Sequence, residues 1–256
     1  MTSTTVCLDL PDTWAYGAGV LHGGWLLETI TREALARTEH PHPLAVSAHY
    51  AAAPKVGSAD LDVEVLREGR SVGTLRAQLS QGGRPKVSTI ITAGRLPEPG
   101  HRPLHLSAAP PQLPLPEDCL RHAMPEGLPR NGIVEQLEIR LDPATAAWTR
   151  GSFGGGAEVR AWVRSATGRE VDPLMLLTVA DALPPVTFEM GIPGWVPTLE
   201  LTVYLRSMPV QGWLRCVQRA RLVSGGWLDE ECEVWDSAGH LVVQARQLAG
   251  YKEPSS

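Results

Sequence analysis

The sequence predicts an α+β protein built from two copies of one plan, each a strand, a helix and then an antiparallel run of strands. Three observations carry that expectation. The stretch 172–183, Asp-Pro-Leu-Met-Leu-Leu-Thr-Val-Ala-Asp-Ala-Leu, is apolar on nearly every side and reads as a buried helix. Segments of period-two alternation follow a helix in each half. Finally, 69–94 can be laid on 225–250 without a gap: each opens on a turn, turns again midway and ends on Ala-Gly. At 256 residues the chain has room for two modest units.

The elements follow in order. A strand at 4–10 leads to Pro11-Asp12 and then to His22-Gly23-Gly24, which opens a loosely amphipathic helix at 25–35. The glycines give a tight entry, and free N–H groups at a helix start attract developing negative charge. Strands are predicted at 43–50, 59–66, 71–80 and 86–93, the second showing Leu61, Val63 and Val65 alternating with Asp60, Asp62 and Glu64. Residues 96–131 are rich in proline, including Pro125 and Pro129, and have no sustained period. They read as a connector between an N-terminal unit, 1–95, and a C-terminal unit, 132–256. In the second unit strands are predicted at 134–141, 158–164, 198–206, 212–223, 227–236 and 240–249.

The helix at 172–183 has clear ends. Asp172 is placed to cap it, Pro173 fits its first position, and Pro184-Pro185 stops it. Asp181 breaks the pattern. A carboxylate in the last turn opposes the helix dipole and is costly to bury unpaired. Either that turn emerges into solvent, or Asp181 serves chemistry.

This layout resembles the double-hotdog fold, two tandem antiparallel sheets each wrapping a long central helix. His22-Gly23-Gly24 resembles the His-Gly-Gly motif of hotdog thioesterases. Val179-Ala180-Asp181, Pro197-Thr198-Leu199 and Ala245-Arg246-Gln247 resemble the type II (TesB-like) acyl-CoA thioesterases. The resemblance spans both halves but not the connector. It implies hydrolysis of an acyl-CoA thioester to the free acid and coenzyme A. Asp181, Thr198 and Gln247 would jointly orient the attacking water, while a Gly23 or Gly24 N–H would hold the carbonyl oxygen. It also implies hotdogs side by side in one continuous sheet, and homodimers or higher homo-oligomers. In His-Gly-Gly enzymes the acid lies nine positions after the His. From His22 that position is Thr31, and from Asp172 it is Asp181. One half keeps the glycines and the other the acid, which implies one composite site per chain.

In the last strand Leu241, Val243, Ala245 and Gln247 share a face, and the overlay sets Gln247 where the first half has Ile91. A buried amide needs partners, and Asp181 with a water is the expected pair. Thr198 opens a strand, where Thr is an ordinary β-former. Gly69-Arg70-Ser71-Val72-Gly73 matches G-x-S-x-G, with Ser71, Asp181 and His240 in the order of a serine hydrolase. That motif requires a helix after the Ser, whereas 74–79 alternates like a strand. Hotdog hydratases use a His a few residues after the Asp, and none follows Asp181. A non-catalytic acyl-thioester binding protein of the same fold remains the alternative from another class.

Composition sets the remaining expectations. The net charge of −5 argues against a nucleic-acid partner. Cys7, Cys119, Cys216 and Cys232 are scattered without metal-ligand spacing, so no metal is expected, and they read as reduced thiols. No cofactor is expected beyond the coenzyme A carried by the substrate. No run is apolar and long enough to span a membrane, and the N-terminal Met-Thr-Ser-Thr-Thr-Val lacks signal-peptide character, so a cytoplasmic protein is expected.

Overall fold

The computed structural model describes residues 3–124 and 130–253. Met1 and Thr2 of the N-terminal run, and Pro125 and Pro129 of the connector, lie outside the described residues. The first half runs β1 (Ser3–Leu10), α1 (Gly23–Leu35), β2 (His42–Tyr50), β3 (Gly57–Glu68), β4 (Gly73–Gln81) and β5 (Arg84–Gly94). The second runs β6 (Leu120–Arg121), α2 (Gly132–Gln136), β7 (Leu137–Leu141), β8 (Glu158–Ser165), α3 (Met175–Val179), β9 (Thr198–Leu205) and β10 (Leu214–Arg219). It closes with β11 (Val223–Ser224), β12 (Trp227–Trp235) and β13 (Leu241–Gly250).

These strands form one antiparallel sheet of order β1-β3-β4-β5-β2-β9-β13-β12-β10-β8-β7-β6, with β11 beside β12. The halves join where β2 pairs β9, Val46 facing Val203 and Ala48 facing Leu201. The continuous sheet and the double-hotdog architecture are therefore as expected. Alternation decides which face is wet. Leu61 and Val63 of β3 are buried, while Asp60 is exposed. The inward faces of both halves close over α1 and α3. α1 buries Leu26, Leu27, Ile30 and Ala34 on the side that meets them.

The two helices pack backbone to backbone at the start of α1. A Cβ on Gly24 would stand 2.7 Å from Asp181 Cβ and 3.0 Å from the carbonyl oxygens of Leu177 and Thr178. The offset that lays His22 on Asp172 also lays Glu28 on Thr178. Those two side chains touch, the Thr178 hydroxyl donating to Glu28 Oε2 at 2.6 Å, as equivalent residues do across a two-fold axis. Arg32 and Arg169 also donate to buried Glu28 at 2.6 Å, so its charge is paired.

Three local expectations are corrected. The helix expected at 172–183 is regular only over Met175–Val179. Asp172 does cap it, accepting the Met175 N–H at 2.7 Å, but Asp181 N–H and Ala182 N–H reach back three residues rather than four. Such bonds tighten a last turn, and Pro184 prevents its continuation. The strand expected at 134–141 begins at Leu137, because Asn131 caps α2 by accepting the Ile133 N–H at 3.1 Å. The gapless overlay of the two hairpins is off by one in its first strand. Leu79 faces Val87 across the Gly82-Gly83 turn, and Val234 faces Val243 across a loop one residue longer. Glu230 therefore corresponds to Leu75. Within the connector, Leu120–Arg121 forms β6 and pairs with β7, and Trp162 Nε1–H donates to the Pro114 carbonyl at 2.8 Å. The four cysteines are free thiols, Cys7 exposed and the others buried. No helix of the described residues is long and apolar enough to cross a membrane.

Candidate active site

A cavity of about 530 Å³ opens between the start of α1 and the last turn of α3. Gly23, Asp181, Thr198 and Gln247 all line it. Asp181 does not turn out into bulk solvent: its side chain is 13% exposed, facing that cavity. Its Oδ2 accepts the Gly24 N–H at 2.7 Å. Burial pushes its carboxyl above the usual range, against the opposing pull of His22 and the Gly24 N–H.

The glycines divide their work. The Gly24 amide is committed to Asp181, whereas the Gly23 N–H, first in the helix, has no acceptor among the described residues. A Cβ at Gly23 would lie 2.9 Å from Asp181 Oδ2, so bare backbone is what leaves room here. His22 is the cap rather than a base. Its Nδ1 accepts the Trp25 N–H at 3.1 Å, so Nε2 carries the proton and donates to the Asp181 main-chain oxygen at 3.0 Å. Burial keeps its imidazole neutral, lowering its pKa despite the Asp181 charge. Tyr50 braces the same turn, its hydroxyl donating to the Gly23 carbonyl at 3.0 Å. Burial, and then the nearby Asp181 charge, hold both Tyr50 and Tyr16 protonated.

Also lining the cavity, Thr198 donates to Gln247 Oε1 at 2.9 Å. Gln247 Nε2 donates in turn to Glu230 Oε2, and Glu230 Oε1 accepts the Val186 N–H at 2.9 Å. The expected partner of Gln247 was Asp181 with a water; the protein partners it has are Thr198 and Glu230. Glu230 went unnoticed in the sequence. Its signal was there: β12 points Leu228, Glu230, Cys232 and Val234 inward, all buried. The misregistered overlay hid it by setting exposed-phase Thr74 opposite it, not Leu75.

The second composite site implied by the pseudo-symmetry lacks its chemistry. Thr31 stands where the acid would be, fully buried, with its hydroxyl unpartnered. Leu174 stands where Gly24 does in the other half. The serine-hydrolase reading also fails structurally. Ser71 is exposed in the hairpin between β3 and β4, with no helix after it, and His240 is held by Asp236 at 3.2 Å in another hairpin. Ser71→Ala is accordingly expected to keep wild-type kcat/KM for any ester or thioester the protein cleaves; a dead variant in a steady-state assay would restore that reading.

This geometry agrees with what the chain is similar to. Residues 10–94 match the family model of the acyl-CoA thioesterase N-terminal domain, and 116–251 match that of the C-terminal domain. An uncharacterized protein of Mycobacterium tuberculosis is 33% identical, over 94% of this chain and 89% of its own. A protein of Thermobifida fusca, provisionally assigned as a thioesterase II, superimposes with a TM-score of 0.87 at 30% identity, covering 97% of this chain and 92% of that one. The tesB protein of Mycobacterium avium subsp. paratuberculosis shares the fold, with a TM-score of 0.78 at 14% identity over 97% and 93% of the two chains. The chain belongs to the double-hotdog acyl-CoA thioesterases of the TesB-like type, and is a thioester hydrolase.

Proposed function

We propose that this hydrolase acts on acyl-CoA by direct water attack, with Asp181 as general base. The observation that carries the reading is the anchored carboxylate: one Asp181 oxygen is fixed on the Gly24 amide and leaves the other for a water. The water oxygen bonds to the thioester carbon as its proton passes to Asp181. The Gly23 N–H meets the oxygen that becomes negative. The C–S bond then breaks, and the coenzyme A thiolate takes the proton from Asp181. Thiolate is a weak base, so no stronger acid is needed at that step. Thr198 and Gln247, which line the same cavity, orient the water. No metal or further cofactor takes part; coenzyme A enters with the substrate. A cytoplasmic homo-oligomer belongs to the same proposal.

Thiol release from a panel of acyl-CoA chain lengths, measured for wild type and Asp181→Asn, tests this. Hydrolysis by the wild type and its loss in the variant are expected. Binding of acyl-CoA without turnover by the wild type would make the protein a carrier of the same fold instead.

A further inference from the structure

The lining of the cavity carries a second carboxylate that the proposed chemistry does not use. Glu230 is 2% exposed, in the middle of β12. It faces Gln247 directly across the β12–β13 ladder, where the first half has the apolar pair Leu75 and Ile91. A cross-strand pair of buried polar side chains in place of a hydrophobic one is costly for folding. Glu230 Oε1 accepts the Val186 N–H and Oε2 accepts from Gln247 Nε2, two donors that hold down a carboxyl which burial pushes up.

That arrangement dictates polarity along the wall. Both Glu230 oxygens act as acceptors, and Gln247 presents its NH₂ to Oε2. Gln247 must then present its carbonyl oxygen to Thr198. Thr198 must spend its only hydroxyl proton on that carbonyl, as the 2.9 Å bond shows. What Thr198 turns to the cavity is therefore a lone pair. A water held between Asp181 and Thr198 gives a proton to each and has its own lone pair free for the thioester carbon.

We infer that Glu230 is a positioning residue for hydrolysis: through the orientation of the Gln247 amide it makes Thr198 an acceptor toward the attacking water. This rests on the water-attack reading of the site. Glu230→Gln is nearly isosteric but reverses the relay. The Val186 N–H still needs an oxygen, so the new NH₂ faces Gln247. The Gln247 amide turns over, its NH₂ then donates to Thr198, and the Thr198 proton points into the cavity.

The experiment is a kinetic double-mutant cycle on acyl-CoA thiol release, using wild type, Glu230→Gln, Thr198→Val and the pair, with Asp181→Asn alongside. The expected result is a kcat lowered about tenfold or more in Glu230→Gln, with KM within about twofold. In the Thr198→Val background Glu230→Gln is expected to cost nothing further. Equal costs in both backgrounds would assign Glu230 a purely structural role and overturn the inference. Should Glu230→Gln fold poorly, Gln247→Ile is compared with the variant Glu230→Leu/Gln247→Ile, which copies the first half's Leu75–Ile91 pair: because Glu230 acts only through Gln247, both are expected to lose kcat equally, and a further loss in the double variant overturns the inference. Wild-type kcat in that variant also overturns the inference. Loss of activity in Asp181→Asn with an intact Glu230→Gln would sink this inference alone. An active Asp181→Asn would sink the water-attack reading beneath it.

Discussion

Replacing Asp181 by Asn is expected to lower kcat for acyl-CoA hydrolysis by about 10²–10⁴-fold, the range a positioned general base contributes. The variant keeps the volume and the oxygen that accepts the Gly24 N–H, so α1 and α3 stay in register. What it loses is the ability to take a proton. The same substitution is expected to stabilise the fold at neutral and alkaline pH. Burial raises the Asp181 carboxyl, so its contribution to stability is fully present below the unfolded carboxylate pKa and is lost as pH rises through the raised folded value. Above that point the native state carries a poorly solvated anion, which the neutral amide of the variant replaces. Calorimetric melting of the two proteins should show the variant higher at pH 8, by about 2–4 °C for each kcal/mol relieved, with the gap closing in acid. In the wild type, kcat should rise with pH through a limb above the ordinary carboxylate range. A variant that melts at or below wild type at pH 8 would mean that Asp181 is held for stability, not for chemistry.

The second large effect belongs to Gly24. An Ala there puts a methyl 2.7 Å from Asp181 Cβ and 3.0 Å from two backbone oxygens of the α3 segment. None of the three is the tip of a flexible side chain, so the helices must separate. Overpacking of this kind costs about 1–3 kcal/mol. The damage to catalysis should exceed the damage to stability, because the displaced segment carries Asp181 itself, and a misplacement of about 1 Å can cost about 10²-fold in rate. Gly156 is the control: its φ is ordinary and a Cβ there meets nothing within 4 Å. Gly156→Ala should match wild type in melting temperature and kcat. If Gly24→Ala behaves the same way, the close contact between the helices is not what holds the site.

Much of this was legible before the fold was known. Period-two alternation located the major sheet strands, since a sheet with one buried face writes its phase into the sequence. Asp181 stood out because nothing about a buried helix explains it, and Gln247 because a repeat set it against Ile91. The failures share a cause. Side-chain pattern reports burial but not backbone hydrogen bonding, so the tight last turn of α3 and the Asn131 cap of α2 read as longer regular elements. The partner of Gln247 was missed for a related reason. A one-residue difference in loop length between the two hairpins is invisible to composition but moves every opposite residue by one, and that concealed Glu230 behind Thr74. The separate duties of Gly23 and Gly24 are not written in the sequence, because the three-dimensional packing of α1 on α3 decides which amide the carboxylate takes.

The most direct test of a composite site is a crystal structure of Asp181→Asn with an unhydrolysed acyl-CoA bound. The expected result is a thioester in the central cavity, its carbonyl oxygen within hydrogen-bond distance of the Gly23 N–H. A water should lie between its carbonyl carbon, the substituted amide and Thr198. A thioester seated elsewhere, or one in the cavity with its carbonyl turned from the start of α1, would contradict the claim that the two halves share one site.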